Sequence, residues 1–351
     1  MITAGIVGVS GYMGGEALRK LLEHPEVKVK WATSRNPENI ADFHPNLYGA
    51  EVNIIKLEDA SPCDVIFVAL PTEASLSTIN GFIGNGCKVI DLGAAFRLKD
   101  IPVWERVYGL KHPYPGLVDR AVYGISELHF NGLRQTDLVA NPGCFASSAV
   151  LGLSPLIAAE IIDTEHIIVD GLSGTAGAGA ELARPAHHPE IANNLVPYNV
   201  VDHRHSYEIE QELSIQSGAN IKVNLTTTYV PIVRGILTLS HCFPKTKVDR
   251  NSLLEIFKKF YKDSYFVKIY DMPKEENASW QYKPYPWVNS VAGTNYCQIG
   301  LDYDEKRERI VVFSVLDSIG KGGALAGIEN MNIMFGLPRE TGISSRGMHP
   351  I

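Results

Sequence analysis

Cysteine is scarce in this chain. Cys63, Cys87, Cys144, Cys242 and Cys297 are the only five in 351 residues, an odd number, widely scattered and without a CxxC spacing. That pattern argues against a disulfide framework or a thiolate zinc site and points to a reducing, cytoplasmic compartment. Positive charge is also in short supply, with 32 Lys and Arg against 39 Asp and Glu and a net charge of -7. A nucleic acid or an anionic membrane needs a basic face, so neither is expected as a partner. No apolar run reaches the ~20 residues of a membrane span. The opening "MITAGIVGVSGYMGG" lacks the basic start and cleavage site of a secretion signal and reads instead as a strand entering a glycine turn. Internal repeats and low-complexity tracts are missing as well.

What is present is an ordinary globular composition, 45% hydrophobic and 20% charged, long enough for two domains. In the first part, strand-like runs alternate with helical spacing: "TAGIVGV", then "GGEALRKLLEHP", "VKVKWATS", "DVIFVALP", "EASLSTINGFIGNG" and "KVIDLG". This alternation predicts an α/β fold with a doubly wound parallel Rossmann-type sheet. Past Cys144 the texture changes. A helix over "ASSAVLGLSPLIAAEII" leads to a strand "HIIVDGLSG" and a loop at 175–202. The β-branched stretch 221–242 and a hairpin over "YCQIGLDYDEKRERIVVFSVLD" predict a second, α+β domain with a mostly antiparallel sheet. An amphipathic helix over "VDRNSLLEIFKKFYKD" and a last helix over "KGGALAGIENMNIMFGLP" complete the reading.

Five stretches carry chemistry. "GVSGYMGGE" spaces Gly8, Gly11 and Gly14 as G-x-x-G-x-x-G between the first strand and the first helix, so the turn Gly8, Ser10, Gly11, Tyr12, Met13, Gly14 is the candidate cradle for a dinucleotide pyrophosphate. About twenty residues on, Ser34, Arg35 and Asn36 offer a guanidinium and a hydroxyl but no acid, which favours the 2′-phosphate of NADP over the 2′-hydroxyl of NAD. Cys144 follows a Pro-Gly turn and opens a helix. A thiolate is stabilised at such a place, although a lone cysteine in a chain like this is more often core packing. "DHRHSYEIEQEL" supplies His203, Arg204 and His205 as candidate bases and an anion clamp, or simply a polar helix entry. Neither this H-x-H pair nor "AHHPE" at 186–190 has a third close ligand, so no metal is expected. The glycine-rich "DGLSGTAGAGAE" puts Ser173, Gly174 and Gly177 forward as cofactor neighbours.

Together these motifs resemble the N-acetyl-γ-glutamyl-phosphate reductase family, including the related lysine-pathway aminoadipyl-phosphate reductases. The matching stretches are "GVSGYMGGE", "DLGAAFRL", "VYGISEL", "NPGCF", "SGTAGAG", "HRHSYEIEQEL", "VPIVRGIL" and "KGGALAGIENMNIMFGLP", in family order across essentially the whole chain. The resemblance implies an NADP-binding domain at 1–143 and 321–351 and a catalytic, substrate and oligomerisation domain at 144–320. It implies that Cys144 is the nucleophile and that a histidine of "HRH" is its acid/base partner, a role placed on His203 with His205 as second candidate. Three departures stand out: Met13 where the family often has Thr, Ser318 where it often has a cofactor-binding Asn, and no basic residue near Ala180.

The expected reaction is NADPH-dependent reduction of N-acetyl-γ-glutamyl phosphate to the semialdehyde through a cysteine thioester, in arginine biosynthesis. Alternatives are the same chemistry on glutamyl or aminoadipyl phosphate held by a small acidic carrier protein, aspartate-semialdehyde dehydrogenase activity, or an NADP-binding regulatory module without catalysis. A homo-oligomer, dimer or tetramer, is implied by the resemblance.

Overall fold

The computed structural model describes residues 1–36, 39–274 and 282–348. The chain divides into two compact units, Met1–Pro142 with Gly323–Ser344, and Gly143–Gly322 with Ser345 onward.

The first unit holds a seven-stranded sheet among the described residues. Its strands are β1 (Ile2–Val7), β2 (Val27–Thr33), β3 (Ile54–Ile55), β4 (Val65–Val68), β5 (Lys88–Asp91), β6 (Val122–Tyr123) and β7 (Leu138–Ala140), in the order β3-β2-β1-β4-β5-β7-β6. Every pairing is parallel. Val65, Ile66, Phe67 and Val68 are all buried, the continuous apolar run expected of a strand covered on both faces. The strand order reverses between β1 and β4, and the crevice beyond their carboxyl ends is where such sheets bind ligands. The glycine turn lies there, between β1 and the helix Tyr12–Leu22. The stretch 101–140, which carries no readable alternation, adds two short helices ahead of β6 and a third between β6 and β7.

The second unit carries a sheet ordered β12-β13-β14-β11-β8-β10-β9, made of β8 (Ile167–Ser173), β9 (Val196–Tyr198), β10 (Val223–Tyr229), β11 (Ile236–Cys242), β12 (Val267–Ile269), β13 (Cys297–Asp304) and β14 (Arg309–Leu316). Four of its pairings are antiparallel; β8 with β10 and β12 with β13 are parallel. Helix Cys144–Ala158 packs on this sheet and is buried from Phe145 to Ile157. Its small polar side chains are what let it lie so close. Ser148 Oγ bonds Thr238 Oγ1 at 2.8 Å and donates to the Ser314 carbonyl at 3.0 Å. The helix Arg250–Phe260 starts where an acidic cap predicts, with Asp249 and Ser252 forming a capping box. The last helix runs only from Leu325 to Met334, because 320–324, with three glycines, forms a wider turn ahead of it.

Candidate active site

In the first unit each glycine of the turn has its own reason. Gly8 has φ +87°, and a Cβ there would stand 2.5 Å from the Ala69 carbonyl oxygen. A Cβ on Gly14 would stand 2.3 Å from the Gly8 carbonyl oxygen, so helix and turn touch only because both lack side chains. Gly11 is different: a Cβ would meet nothing nearer than Gly8 O at 3.9 Å. Among the described residues none crowds a side chain at this N-cap, and a glycine there would let a pyrophosphate approach closely. Ser10 and Met13 are half-buried and Tyr12 is exposed. At the end of β2, Ser34 is buried while Arg35 and Asn36 are exposed, and Thr33 Oγ1 accepts from Gly8 N at 3.3 Å. The residues present fit a dinucleotide.

The approach to the cysteine is held by Asn141. Its N–H donates to the Asp91 carbonyl at 2.9 Å, its carbonyl accepts from Arg97 Nε at 2.8 Å, and its amide donates to Gly323 O at 3.0 Å. Asp91 itself is fully buried. Burial pushes its carboxyl up to about 6, against the pull of Arg97 and the amides of Gly93 and Ala95.

In the second unit Cys144 is the first residue of helix Cys144–Ala158, with Gly143 at the N-cap. The thiol is half-buried, and the other four cysteines are buried. Burial pushes the Cys63 thiol up to about 11 and the Cys242 thiol up to about 12, which makes them inert packing. Cys144 stands at a helix start, which carries a positive partial charge of about half a unit.

The two histidines differ. His203 is the N-cap of helix Arg204–Ser217: its Nδ1 accepts from His205 N at 3.1 Å, which leaves the proton of the neutral ring on Nε2. Burial, helped by the Arg204 guanidinium, lowers its pKa to about 4. His205 packs its ring where a Cβ of Gly143 would be, the Nε2 lying 2.3 Å from that position. Behind it Glu208, with no exposed surface, accepts from Gly143 N at 2.9 Å and holds Oε1 3.8 Å from His205 Nε2. Phe145 meets both imidazoles edge to face. Tyr198 stacks on Tyr229 at 4.0 Å, and proximity to the Cys144 sulfur helps raise both phenols after burial, the larger cause. Motif spacing does not mark Glu208, Tyr198 or Tyr229. The signal for Glu208 is a carboxylate one turn past the histidines on the same helix face.

Ser173, Gly174 and Ser318 come together around Gly235. Gly174 N donates to Gly235 O at 2.9 Å, Gly235 N donates to Ser318 Oγ at 3.3 Å, and Ser173 Oγ donates to the Gly174 carbonyl at 2.8 Å. Beside them Arg234 is bound through Nε and Nη2 to the buried carboxylate of Asp317, at 2.8 and 2.9 Å.

Among the described residues no helix is long and apolar enough to cross a membrane. The family model described as "Semialdehyde dehydrogenase, NAD binding domain" matches residues 3–136, and "Semialdehyde dehydrogenase, dimerisation domain" matches residues 144–318. Solved structures share the fold. Aspartate semialdehyde dehydrogenase II of Vibrio cholerae superposes with a TM-score of 0.71 at 17% identity, covering 96% of this chain and 99% of that one. The enzyme of Candida albicans gives 0.64 at 14%, covering 95% and 98%. Curated relatives run end to end with this chain: N-acetyl-gamma-glutamyl-phosphate reductases of Methanopyrus kandleri (39% identity) and Desulforamulus reducens (37%), each covered over 100% of both chains. That of Methanosarcina acetivorans is 39% identical over 97% of both. A cysteine placed at a helix start, a glycine turn at the sheet's switch point and full-length identity at this level carry one conclusion: the chain belongs to the N-acetyl-γ-glutamyl-phosphate reductase family.

Proposed function

We propose that this protein reduces N-acetyl-γ-glutamyl phosphate to N-acetylglutamate semialdehyde with release of phosphate, in cytoplasmic arginine biosynthesis, and works as a homo-oligomer. The observation that carries the reading is Cys144 at the first position of a buried helix, with an imidazole packed against the preceding peptide. The Cys144 thiolate attacks the acyl carbon, the C–O bond to phosphate breaks, and a thioester remains. NADPH, when held by the glycine turn, would supply the hydride that reduces that carbonyl. The thiohemiacetal oxyanion is stabilised by the amide at the helix start and collapses to aldehyde and the Cys144 thiolate, while the proton that the acid/base histidine first took from the thiol goes to the departing phosphate.

We assign the acid/base role to His205 rather than His203. Two features support this: His203 Nδ1 is engaged in capping and its ring is held neutral, while His205 lies against the cysteine's own turn with a carboxylate behind it. Gly8, Ser10, Gly11, Tyr12, Met13 and Gly14 would hold the pyrophosphate, and Ser34, Arg35 and Asn36 the 2′-phosphate. The Ser173, Gly174 and Ser318 cluster is assigned to the nicotinamide end. The reverse assay tests the substrate: phosphate, NADP⁺ and either N-acetylglutamate semialdehyde or aspartate semialdehyde. Turnover of the acetylated compound alone is expected. Preference for aspartate semialdehyde, or silence on both free compounds, contradicts the assignment, the latter pointing to a carrier-linked substrate.

A further inference from the structure

We infer that His44 is a positioning residue for the cofactor: its imidazole holds the Val9 carbonyl in the glycine turn and thereby aims the N–H of the Val9–Ser10 peptide at the pyrophosphate. This rests on the reading above, in which that turn holds the pyrophosphate.

The segment after β2 is shaped to deliver this ring. Asn39 caps the short helix Ile40–Phe43 by accepting from Ala41 N at 2.9 Å. Pro45 keeps the residue before it out of the helical region, so the helix ends and His44 stands at the corner, with φ -133° and ψ 86°. The His44 N–H donates to the Ile40 carbonyl at 2.9 Å, and its carbonyl accepts from Leu47 N at 2.8 Å, so the backbone on both sides of the ring is fixed. Nε2 lies 2.8 Å from the Val9 carbonyl oxygen, and because a carbonyl only accepts, Nε2 is the donor. Val9 is fully buried, and its own N–H donates to the Thr33 carbonyl at 3.0 Å. A trans peptide is planar, with its C=O and N–H pointing in opposite directions. The ring that takes the Val9 carbonyl therefore sends the Ser10 N–H away from His44, and the same hydrogen bond polarises that peptide into a stronger donor.

Gly15 shows what the contact requires. It lies inside the helix Tyr12–Leu22, where alanine is the better helix former. Its N–H makes an ordinary bond to the Gly11 carbonyl at 2.9 Å, so the backbone does not ask for glycine. A Cβ there would stand 2.2 Å from both Cε1 and Nε2 of His44. Gly14 is bare because the turn touches it, and Gly15 is bare because His44 does. The helix gives up a side chain in its first turn so that an imidazole can reach the carbonyl of the turn that precedes it.

The test is NADPH binding to the full-length protein, followed by nicotinamide fluorescence without substrate. Beside it runs a calorimetric titration with adenosine 2′-monophosphate, which has the 2′-phosphate but no pyrophosphate. His44→Ala should raise the NADPH dissociation constant about five- to tenfold, the size of one hydrogen bond, and leave that for adenosine 2′-monophosphate unchanged. His44→Gln, whose amide can donate from the place of Nε2, should recover most of the loss. Gly15→Ala should weaken NADPH as His44→Ala does. In the His44→Ala background it should cost no further affinity and raise the melting temperature, because the ring it would strike is gone and alanine favours the helix. An unchanged NADPH constant in His44→Ala overturns the inference. So does an equal loss for both ligands, which would mean that His44 only orders the stretch behind Arg35, and so does a full additional loss in the double variant. Thermal melts of each protein identify loss of fold, and the glutamine variant carries the test should the alanine variant not fold. Failure of the underlying reading looks different: Gly11→Ala would then leave NADPH binding unchanged as well, whereas weaker binding in Gly11→Ala with none in His44→Ala sinks the role of His44 alone.

Discussion

Two turns in this molecule depend on glycine for different reasons. At Gly8–Gly14 the glycines serve the backbone: one needs a left-handed conformation, one lets turn and helix touch, and one stands open. At Gly143 the backbone is unremarkable, φ -70° and ψ 148°, which any residue adopts. There the missing side chain makes room for a histidine that arrives from sixty-two residues further along the chain. The first turn's glycines answer to the backbone and leave Gly11 open, whereas the second turn's glycine answers to a side chain. A glycine motif with fixed spacing announces the first kind; the second can be recognised only when its visitor is known.

The comparison breaks first at the cysteine. Cys144→Ser should lower kcat by about 10³-fold or more with NADPH binding unchanged, since serine is a far weaker nucleophile at this position. Titration of NADPH by fluorescence alongside steady-state rates checks both halves. Next come the paired substitutions at the two turns. Gly143→Ala drives a methyl group into His205 and should cost about 10²-fold in kcat, because a displacement of about 1 Å in a catalytic group has that effect. Gly11→Ala has room within the chain, so its melting temperature should hold while the KM for NADPH rises. Equal stability losses in both variants would remove the contrast.

Arg35→Ala sharpens the ligand side. It should raise the KM for NADPH by ~10–100-fold, on about 1.5–3 kcal/mol for a charged hydrogen bond, and leave that for NADH unchanged. The smallest effect is on stability against pH. His203 titrates near 4 in the folded chain, below the 6.5 of a free imidazole, so the unfolded chain binds the proton first. Its contribution is complete above pH 6.5 and is lost as the pH falls toward 4. His203→Asn keeps a capping oxygen and should flatten the decline in melting temperature between pH 6.5 and 4.5. His24 and His112, also lowered by burial, leave a residual slope in both proteins.

Much of the first unit is readable from the sequence because each parallel strand is a short unbroken apolar run closed by a turn, as at "DVIFVALP" and "KVIDLG". Cys144 and the "HRH" stretch are readable as reactive residue types at helix entries. What escapes is whatever depends on distant pairing. The hydrogen bond from Gly143 to Glu208 spans 65 residues, and Glu208, one of three glutamates inside "SYEIEQEL", looks like a solvated helix position. His203 is hard to see as a cap because Ser, Thr, Asp and Asn usually fill that role. The parallel pairing of β8 with β10 hides among β-branched runs that read equally well as antiparallel. The last helix starts later than its pattern because Gly322 and Gly323 interrupt it, and only the backbone shows where.

The most direct measurement leaves the reductant out. Protein and N-acetyl-γ-glutamyl phosphate are mixed without NADPH, quenched within one turnover, and read for free phosphate and intact mass. One phosphate per protomer together with an acyl adduct mapped to Cys144 is the predicted result. Phosphate released only when NADPH is present, with no adduct on Cys144, would contradict it.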